Sequence, residues 1–384
     1  MATGTADPAQ AGVLWPVFAA FLLSGAGSTM LGPLLPLLGK RLDLGDGGAG
    51  ALFMAQFGGA AAGAIICGRL LEHWGYRRVL CTGYLMLAAG AALLAAPMAA
   101  VVSAGILING LGLGLMIPST NLLVAESSAA SSASRLNWLN LCGGSGAVAG
   151  PPLVAWLRDS SGLSGVAALV CGLAIVCALA LCRTVPSTHL ESAEPDPGRG
   201  RFQWAVAAML FLYVGAETTL SGWLPTLAIR RAGAHSGLET LPLSAYWGAM
   251  MAGRAAAAVL LKRYTTAQLM KVLLTAAPVA AAGLALAGGA GSMTATAALA
   301  GLVFGPIFPS AISTLKSANA QQARRLGPPV FAAASAGGAV MPWIAGWVSA
   351  GSGDVRVILG PAVICLLMMT PAWMSVRRPA ATRT

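Results

Sequence analysis

One charged stretch decides how the chain folds, and it reads Gly68-Arg69-Leu70-Leu71-Glu72-His73-Trp74-Gly75-Tyr76-Arg77-Arg78. It separates two apolar runs that are each long enough to cross a bilayer as a helix. Gly75 permits the positive φ of a tight reversal, and Gly68 permits close approach of a neighbouring helix. Arg77 and Arg78 favour the cytoplasmic side of a membrane. The stretch therefore predicts a helical hairpin whose turn faces the cytoplasm.

The composition indicates that the whole chain is a membrane protein. Of its 384 residues, 57% are hydrophobic and only 9% are charged, and the mean hydropathy is +0.76. Soluble domains carry about 25% charged residues. The formal net charge of +11 could suggest nucleic acid, but the basic residues are scattered in short pairs between apolar runs. Basic loops that face anionic lipid explain the charge better, so we expect no nucleic-acid partner.

The apolar runs predict an all-α membrane protein with twelve transmembrane helices, because a span needs about 20 apolar residues. Most of the 23 Lys and Arg residues fall on the side that carries both termini, which predicts cytoplasmic termini. The exceptions are Arg254, inside a span, and, on the opposite side, Lys40, Arg41, Arg158, Arg230, Arg231 and Arg356. The predicted spans are 13–38, 48–71, 79–98, 100–125, 136–157, 164–182, 203–229, 241–262, 268–288, 292–315, 327–350 and 355–376.

A polar, proline-containing stretch divides these spans into two sets of six. Its composition is typical of a linker between domains. We therefore expect an N-terminal six-helix bundle at 1–182, a cytoplasmic linker at 183–202 and a C-terminal six-helix bundle at 203–384.

Three sequence echoes indicate that the two halves are internal repeats. They pair Gly63-Ala64-Ile65-Ile66-Cys67-Gly68-Arg69 with Gly248-Ala249-Met250-Met251-Ala252-Gly253-Arg254, then Gly110, Gly114, Pro118 and Ser119 with Gly301, Gly305, Pro309 and Ser310, and finally Gly146-Ala147-Val148, Pro151 and Trp156 with Gly338-Ala339-Val340, Pro342 and Trp347. Parallel repeats of this kind occur in transporters that bind substrate between their halves near the membrane midplane. Helix packing alone also accounts for each glycine taken singly.

The charged stretch resembles the loop between helices 2 and 3 of the major facilitator superfamily. The usual form of that loop is Gly, three residues, Asp, Arg, one residue, Gly and then basic residues. Here Glu72 replaces the Asp, His73 replaces the Arg, and Tyr76 is an extra residue before the basic pair. An ordinary basic loop between two helices is the alternative interpretation of this motif alone. With the repeats and the twelve spans, the resemblance covers essentially the whole chain and implies two pseudo-symmetric six-helix bundles, the major facilitator fold.

Two further segments resemble the fucose/galactose/glucose–proton symporter group of this superfamily. They are Ile117-Pro118-Ser119-Thr120-Asn121-Leu122-Leu123-Val124-Ala125-Glu126 followed by Arg135-Leu136-Asn137, and Tyr213-Val214-Gly215-Ala216-Glu217. In the fucose branch, an acid in helix 1 and another in helix 4 are tied to proton movement. In this chain those positions fall near Gly32 and near Met116 or Ile117, and none of these side chains is ionisable. The resemblance thus implies a sugar-like substrate but puts that route of proton coupling in doubt.

Two charged residues lie deep within predicted spans, where an ionisable side chain indicates a functional site by default. Glu217 lies near the middle of helix 7, and Arg254 lies near the middle of helix 8. Because consecutive spans are antiparallel, we expect the two side chains at similar depth, paired across the cavity. They either take part in the transport cycle or form a static ion pair within the C-terminal half. Arg254 also echoes Arg69, which makes a structural counterpart a third interpretation.

Uncharged polar and aromatic side chains complete the candidate substrate or ion site. Amides and hydroxyls hydrogen-bond polar ligands and aromatic rings stack on sugars, although each residue singly also suits packing or an interfacial anchor. These candidates are Gln56, Asn121, Asn137, Asn140, Tyr213, Thr218, Trp223 and Trp247. The candidate gating loop comprises Gly68, Glu72, Gly75, Arg77, Arg78, Glu126 and Arg135.

The sequence contains no recognisable catalytic motif. The three His residues lie in predicted loops, and no glycine-rich phosphate-binding loop is present. The seven Cys residues show no metal-binding spacing, so we expect them to be small buried residues. We therefore expect no enzyme, no cofactor and no metal site.

The leading interpretation is a secondary active transporter that moves a small polar organic solute, sugar-like by resemblance, by alternating access. A coupling proton or sodium ion is compatible with this interpretation. The alternative is a proton-coupled drug or metabolite efflux antiporter, because Gly146, Gly150 and Pro151 resemble the Gly-x-x-x-Gly-Pro of antiporters, without the trailing glycines. A receptor derived from a transporter ranks third. We expect a multi-pass monomer in a bacterial cytoplasmic (inner) membrane.

Overall fold

The computed structural model describes residues 8–126, 132–190, 201–235, 237–311, 320–352 and 359–377. In these ranges the regular structure is entirely helical. The helices are α1 (Pro8–Thr29), α2 (Leu31–Arg41), α3 (Asp46–Leu93), α4 (Ala99–Glu126), α5 (Ser132–Thr184), α6 (Arg201–Ala232), α7 (Leu241–Leu260), α8 (Thr266–Leu286), α9 (Ala290–Phe304), α10 (Ala320–Ser352) and α11 (Gly360–Arg377).

These helices provide twelve spans because two of them fold back on themselves. α3 reverses at Gly75, where φ is 74°, and α5 reverses at Gly162, where φ is 65°. α1 and α2 together form one span that is bent by 42°, and α9 continues after a turn into 307–311 as span 10. By length and hydropathy alone, six described helices are able to cross a membrane, or seven with the bent pair counted. The positive φ predicted for Gly75 is confirmed.

Successive spans run in opposite directions, so the connecting segments collect at two ends of the molecule. The Arg77 end carries Arg77 and Glu126 together with 185–190. The opposite end, called the Arg230 end, carries Arg230 and Glu239.

The chain that follows α5 packs along the reversal in α3. The backbone N–H of Tyr76 donates to the carbonyl of Thr188 at 2.9 Å, and Arg77 Nε donates to the carbonyl of Val185 at 2.6 Å. A Cβ added to Gly75 would lie 2.7 Å from the Thr188 carbonyl oxygen. Gly75 is therefore required both by its positive φ and by this close approach.

Glycines bring span 4 against span 2, and span 10 against span 8. A Cβ added to Gly110 would overlap the carbonyl of Gln56, and one added to Gly301 would overlap the carbonyl of Tyr246. The sequence separation between Gln56 and Gly110 equals that between Tyr246 and Gly301 to within one residue. The second sequence echo is therefore a true repeat, and Gln56 in span 2 corresponds to Tyr246 in span 8.

The same contacts change the register of the first echo. Gly63 contacts the backbone of Leu111 in the way that Gly253 contacts the backbone of Leu302. Gly63 therefore corresponds to Gly253, and the prediction that paired it with Gly248 is wrong. Small residues recur at several helical spacings in both segments, so the sequence pattern alone matched a false register.

Two other predicted glycine contacts differ in the structure. Among the described residues, no heavy atom of another helix lies within 4 Å of a Cβ added to Gly68, so the predicted close approach is not seen there. Gly59 makes such an approach instead, against the backbone of span 4. In the third echo, the counterpart of Gly146 is Gly337 rather than Gly338, because Gly146 and Gly337 each meet the backbone of the first span of their half.

Cys81 of span 3 and Cys182 of span 6 lie next to each other near the Arg77 end, with Cα atoms 6.3 Å apart, a separation that a disulfide can bridge. Cys81 is buried, as predicted, whereas Cys182 is exposed. The two residues are 101 positions apart, so no local motif marks them.

Candidate functional site between the two halves

The interface between spans 1–6 and spans 7–12, called the seam, is held at the Arg230 end by two polar latches. In the first, Asp46 at the start of α3 accepts hydrogen bonds from both terminal nitrogens of Arg230, at 2.8 and 2.5 Å. Ser349 Oγ in α10 donates to the same carboxylate at 2.6 Å. The bidentate geometry fixes span 2 to spans 7 and 11.

The second latch lies on the other side of the seam and is more deeply buried. Arg158 of span 5 donates to Glu239 Oε1 at 2.5 Å, and the side chains are 11% and 1% exposed. Arg158 also donates to Asp159 Oδ1 at 2.8 Å and to the carbonyl of Pro33 at 3.1 Å. Glu239 lies in a 3-10 turn directly before α7. This latch therefore joins span 5 to span 8 at the same end as the first.

Aromatic side chains close the seam beneath the latches. The rings of Phe53 in span 2 and Trp223 in span 7 lie 6.2 Å apart, and both residues are buried. Trp223 Nε1 donates to the carbonyl of Pro342 at 3.3 Å. A Cβ added to Gly222 would lie 2.6 Å from the Phe53 ring. Trp223, which was predicted as a substrate-site residue, is thus packed between Phe53 and span 11 in this conformation.

Besides the two latches, a hydrogen bond joins described residues of opposite halves, in which Ser244 Oγ donates to the Val148 carbonyl at 3.0 Å. These polar contacts between described residues of the two halves therefore lie from the Arg230 end to mid-depth.

The second half brings polar side chains together in the middle of the membrane. Tyr213, Glu217, Tyr246 and Arg254 lie close enough to interact electrostatically. The Tyr213 hydroxyl donates to the carbonyl of Phe304 at 3.1 Å, and Glu217 lies one helical turn further along α6. Tyr246 Oη is buried without a hydrogen-bond partner among the described residues. Sequence reasoning missed Tyr246, whose signal was its position one residue before Trp247.

The predicted direct pair of Glu217 and Arg254 is absent in this conformation. Arg254 Nε instead donates to the carbonyl of Gly305 at 3.2 Å, and Nη2 lies 3.5 Å from Met250 Sδ. Glu217 lies in the middle of α6, whereas Arg254 is only six residues from the end of α7. Counted from the Arg230 end, Glu217 is 15 residues before the end of α6 and Arg254 is 13 residues after the start of α7, so the two lie at similar depth as predicted, although their side chains form no ion pair.

The first half contains a corresponding polar group. Gln56 is 2% exposed, and its Nε2 donates to the carbonyl of Gly27 at 3.3 Å and to Asn109 Oδ1 at 3.4 Å. Gln56 Oε1 and Asn109 Nδ2 are buried without a partner among the described residues. Sequence reasoning missed Asn109, which is one of the few amides within an apolar run. Gln56 and Tyr246, which are equivalent in the repeat, thus each present a polar atom without a partner.

The other predicted site residues are less closely integrated. Asn121 and Asn140 each donate to the backbone carbonyl four residues earlier, at 2.8 Å. Asn137 is exposed, and Thr218 is buried. Trp247 packs edge-on against Tyr246 with ring centroids 5.7 Å apart, and its indole N–H is buried without a partner among the described residues.

The predicted gating loop forms a bonded cluster at the Arg77 end. Tyr76 donates its hydroxyl to Glu126 Oε2 at 2.8 Å, which ties the α3 reversal to the end of span 4. His189 Nδ1 donates to the Glu72 carbonyl at 2.9 Å. Arg135 is half-buried near the start of α5. The extra residue Tyr76 is therefore a structural contact of the loop.

Two helical halves that meet at a seam with polar latches at the Arg230 end have the architecture of a transporter that works by alternating access. The comparison with protein families agrees, because the Major Facilitator Superfamily matches residues 17–326. The chain belongs to this superfamily, and its twelve transmembrane helices form two pseudo-symmetric six-helix bundles.

Solved structures share this fold over nearly the whole chain. The E. coli fucose:proton symporter FucP, in the outward conformation, has 18% identity and a TM-score of 0.66, covering 95% of this chain and 99% of that chain. A bacterial homologue of the human lysosomal transporter Spinster, inward-facing and occupied, has 14% identity and a TM-score of 0.78, covering 97% of each chain. A variant of the nucleoside transporter NupG has 14% identity and a TM-score of 0.72, covering 96% and 100%. A search of curated protein sequences finds no match.

Proposed function

We propose that the protein is a secondary active transporter that moves a small polar organic solute across the membrane by alternating access. The observation that carries this proposal is the equivalence of Gln56 and Tyr246. Both are buried, they belong to different bundles, and each has a polar atom without a partner among the described residues. A buried polar atom that is left unpaired costs about 1–3 kcal/mol, which a ligand with hydrogen-bonding groups would recover.

A sugar-like solute fits these polar atoms best. Gln56 Oε1 accepts hydrogen bonds, Asn109 Nδ2 and Trp247 Nε1 donate them, and Tyr246 Oη does both. A hydroxyl group both donates and accepts, so a polyhydroxylated ligand matches this mixture of groups. The fucose:proton symporter and the nucleoside transporter that share the fold support the same class of solute.

Ion coupling, in this proposal, depends on Glu217. It is the carboxylate at mid-depth in the described spans, whereas Gly32, Met116 and Ile117 near the helix 1 and helix 4 positions are not ionisable. A proton or sodium ion would neutralise Glu217. The nearby Arg254 would compensate the carboxylate when the ion leaves, because its charge acts on Glu217 without a direct contact.

The Arg77 end, in this proposal, faces the cytoplasm of a bacterium, together with both termini and the polar linker. The excess of Lys and Arg on this side supports that orientation in the inner membrane. Single cysteines placed at Ser187 and at Gly45, in a background without native cysteines, should react oppositely with an impermeant thiol reagent. Equal labelling of the two sites in intact cells would contradict the orientation.

With this orientation, the structure corresponds to an inward-facing state, because the latched Arg230 end is the outer one. Substrate would then reach the seam from the cytoplasm, because the described polar contacts between the halves lie from the Arg230 end to mid-depth.

Counterflow in proteoliposomes tests the function directly, with a panel of sugars, nucleosides and amphiphilic drugs. We expect exchange of a hydroxyl-rich solute, and we expect Asn109→Leu to weaken it. Thr296→Val is the control, because the Thr296 hydroxyl bonds to its own helix at 2.7 Å. Exchange of amphiphilic drugs alone would favour the efflux antiporter, and equal activity of the two variants would remove Asn109 from the site.

A further inference from the structure

A separate pocket of about 350 Å³ lies outside the seam, on the flank of the N-terminal bundle at the Arg77 end. It lies where span 3 begins and span 6 ends, against Cys81 and Cys182. Its lining changes along span 3 from Arg77 and Arg78, through Thr82, to Leu85. The transport site does not use these residues.

The entrance of the pocket is cationic. Arg77 Nε is bound to the Val185 carbonyl at 2.6 Å, which orients the guanidinium and leaves its terminal nitrogens for another acceptor. Arg78 is exposed. None of the ion pairs among the described residues involves either arginine. Two adjacent guanidinium groups that form no ion pair with described residues favour a phosphate or another anion.

The inner part of the pocket is apolar. Leu85 is 51% exposed, and it lies seven residues beyond Arg78, which is about 10 Å further along the helix. Trp74, at the cationic entrance, is 45% exposed, as is common for tryptophan at the level of lipid headgroups. The order of cation, hydroxyl and apolar surface along span 3 follows the order of groups in a phospholipid.

We propose that this pocket binds an anionic phospholipid from the leaflet at the Arg77 end. Arg77 and Arg78 hold the headgroup phosphate, Thr82 lies beneath it, and an acyl chain lies along Leu85. A free phosphate ion would leave the exposed apolar part of the pocket uncovered, whereas a lipid covers both parts. The bound lipid would stabilise the α3 reversal against the segment 185–190, because Arg77 already contacts that segment.

Native mass spectrometry of the full-length protein, titrated with phosphatidylglycerol or phosphatidylcholine, tests the proposal. We expect tighter binding of phosphatidylglycerol. Arg78→Gln should weaken it about fivefold, because a basic residue near anionic lipid contributes about 1 kcal/mol. The double variant Arg77→Gln/Arg78→Gln should weaken it further. The control is Lys262→Gln/Arg263→Gln, which removes two exposed charges from the α7–α8 turn at the same end.

Arg78→Gln is the decisive variant, because Arg78, unlike Arg77, has no described contact that folding requires. Equal binding of the two lipids, or the same loss in the control at Lys262 and Arg263, would overturn the proposal. A second measurement is the thermal unfolding midpoint with phosphatidylglycerol, glycerol phosphate or inorganic phosphate. We expect a rise with the lipid alone, and an equal rise with either soluble phosphate would show that the site binds the anion and not the lipid.

Discussion

We expect Glu239→Ala to open the Arg230 end of the molecule. The Glu239 side chain is 1% exposed and accepts a hydrogen bond from Arg158 of the opposite bundle at 2.5 Å. The substitution leaves the buried guanidinium of Arg158 without this partner in the latched state. When the bundles separate at this end, water reaches Arg158 and the penalty disappears. The substitution therefore destabilises the latched state relative to the open one.

The burial of this pair sets the size of the effect. Removal of one partner of a buried ion pair costs about 3–5 kcal/mol. Since about 1.4 kcal/mol corresponds to a tenfold change, the lower limit shifts the equilibrium about 150-fold toward the open state. Asp159→Asn is the matched control, because Asp159 binds the same arginine at 2.8 Å but belongs to the same bundle and has a side chain that is 44% exposed. Exposed pairs contribute about 0–1 kcal/mol.

The assay is electron–electron double resonance, which measures the distance between two spin labels. Labels at Lys40 and His235, both exposed at the Arg230 end and in opposite bundles, report on its opening. Glu239→Ala should move the distance distribution to longer values, and Asp159→Asn should leave it unchanged. The double variant Arg158→Ala/Glu239→Ala should open less than Glu239→Ala, because the buried guanidinium, which would otherwise keep only the half-exposed Asp159 as an ionic partner, is removed as well. An unchanged distribution in a stably inserted Glu239→Ala protein would refute the latch.

Three further outcomes follow from the same contacts. Gly75→Val should lower the thermal unfolding midpoint, because positive φ costs a β-branched residue about 1–3 kcal/mol and the Cβ would meet the Thr188 carbonyl. The control Gly68→Val, whose Cβ meets no described residue, should leave the midpoint unchanged. Glu217→Gln should abolish ion-driven accumulation of the solute but not counterflow. Full accumulation by the double variant Glu217→Gln/Arg254→Gln would show that Glu217 does not carry the coupling ion. Asp46→Asn should open the Arg230 end less than Glu239→Ala does in the same distance measurement, since Arg230 is 45% exposed.

The sequence was sufficient for features that depend on local chemistry. Apolar runs of the right length predicted the spans, and a glycine between charged residues predicted the reversal at Gly75, where φ is 74°. The linker prediction partly lies outside the described residues, because 191–200 belong to none of the described ranges. The helices on either side end at Thr184 and begin at Arg201.

Features that depend on distant pairs were beyond such reasoning. Asn109 and Tyr246 become candidates only once burial shows that each has a polar atom without a partner. Glu217 and Arg254 lie at similar depth on neighbouring spans, as predicted, but Arg254 binds the Gly305 carbonyl instead of the carboxylate. Gly68 fitted a family pattern, yet no described residue packs against it. Composition and spacing do not encode which atoms of two neighbouring helices meet.

The repeat also explains why the closed end has two latches. Arg158 in span 5 and Ser349 in span 11 are equivalent in the third echo, and each contacts an acid at the start of a span in the opposite bundle, Glu239 and Asp46 respectively. A rocking motion of one bundle against the other must therefore break both contacts together. The side chains of Arg158 and Glu239 are 11% and 1% exposed, whereas Arg230, which pairs with Asp46, is 45% exposed. Because removal of one partner costs more for a buried pair than for an exposed one, a single substitution between spans 5 and 8 should open this end more than one at the Arg230–Asp46 pair.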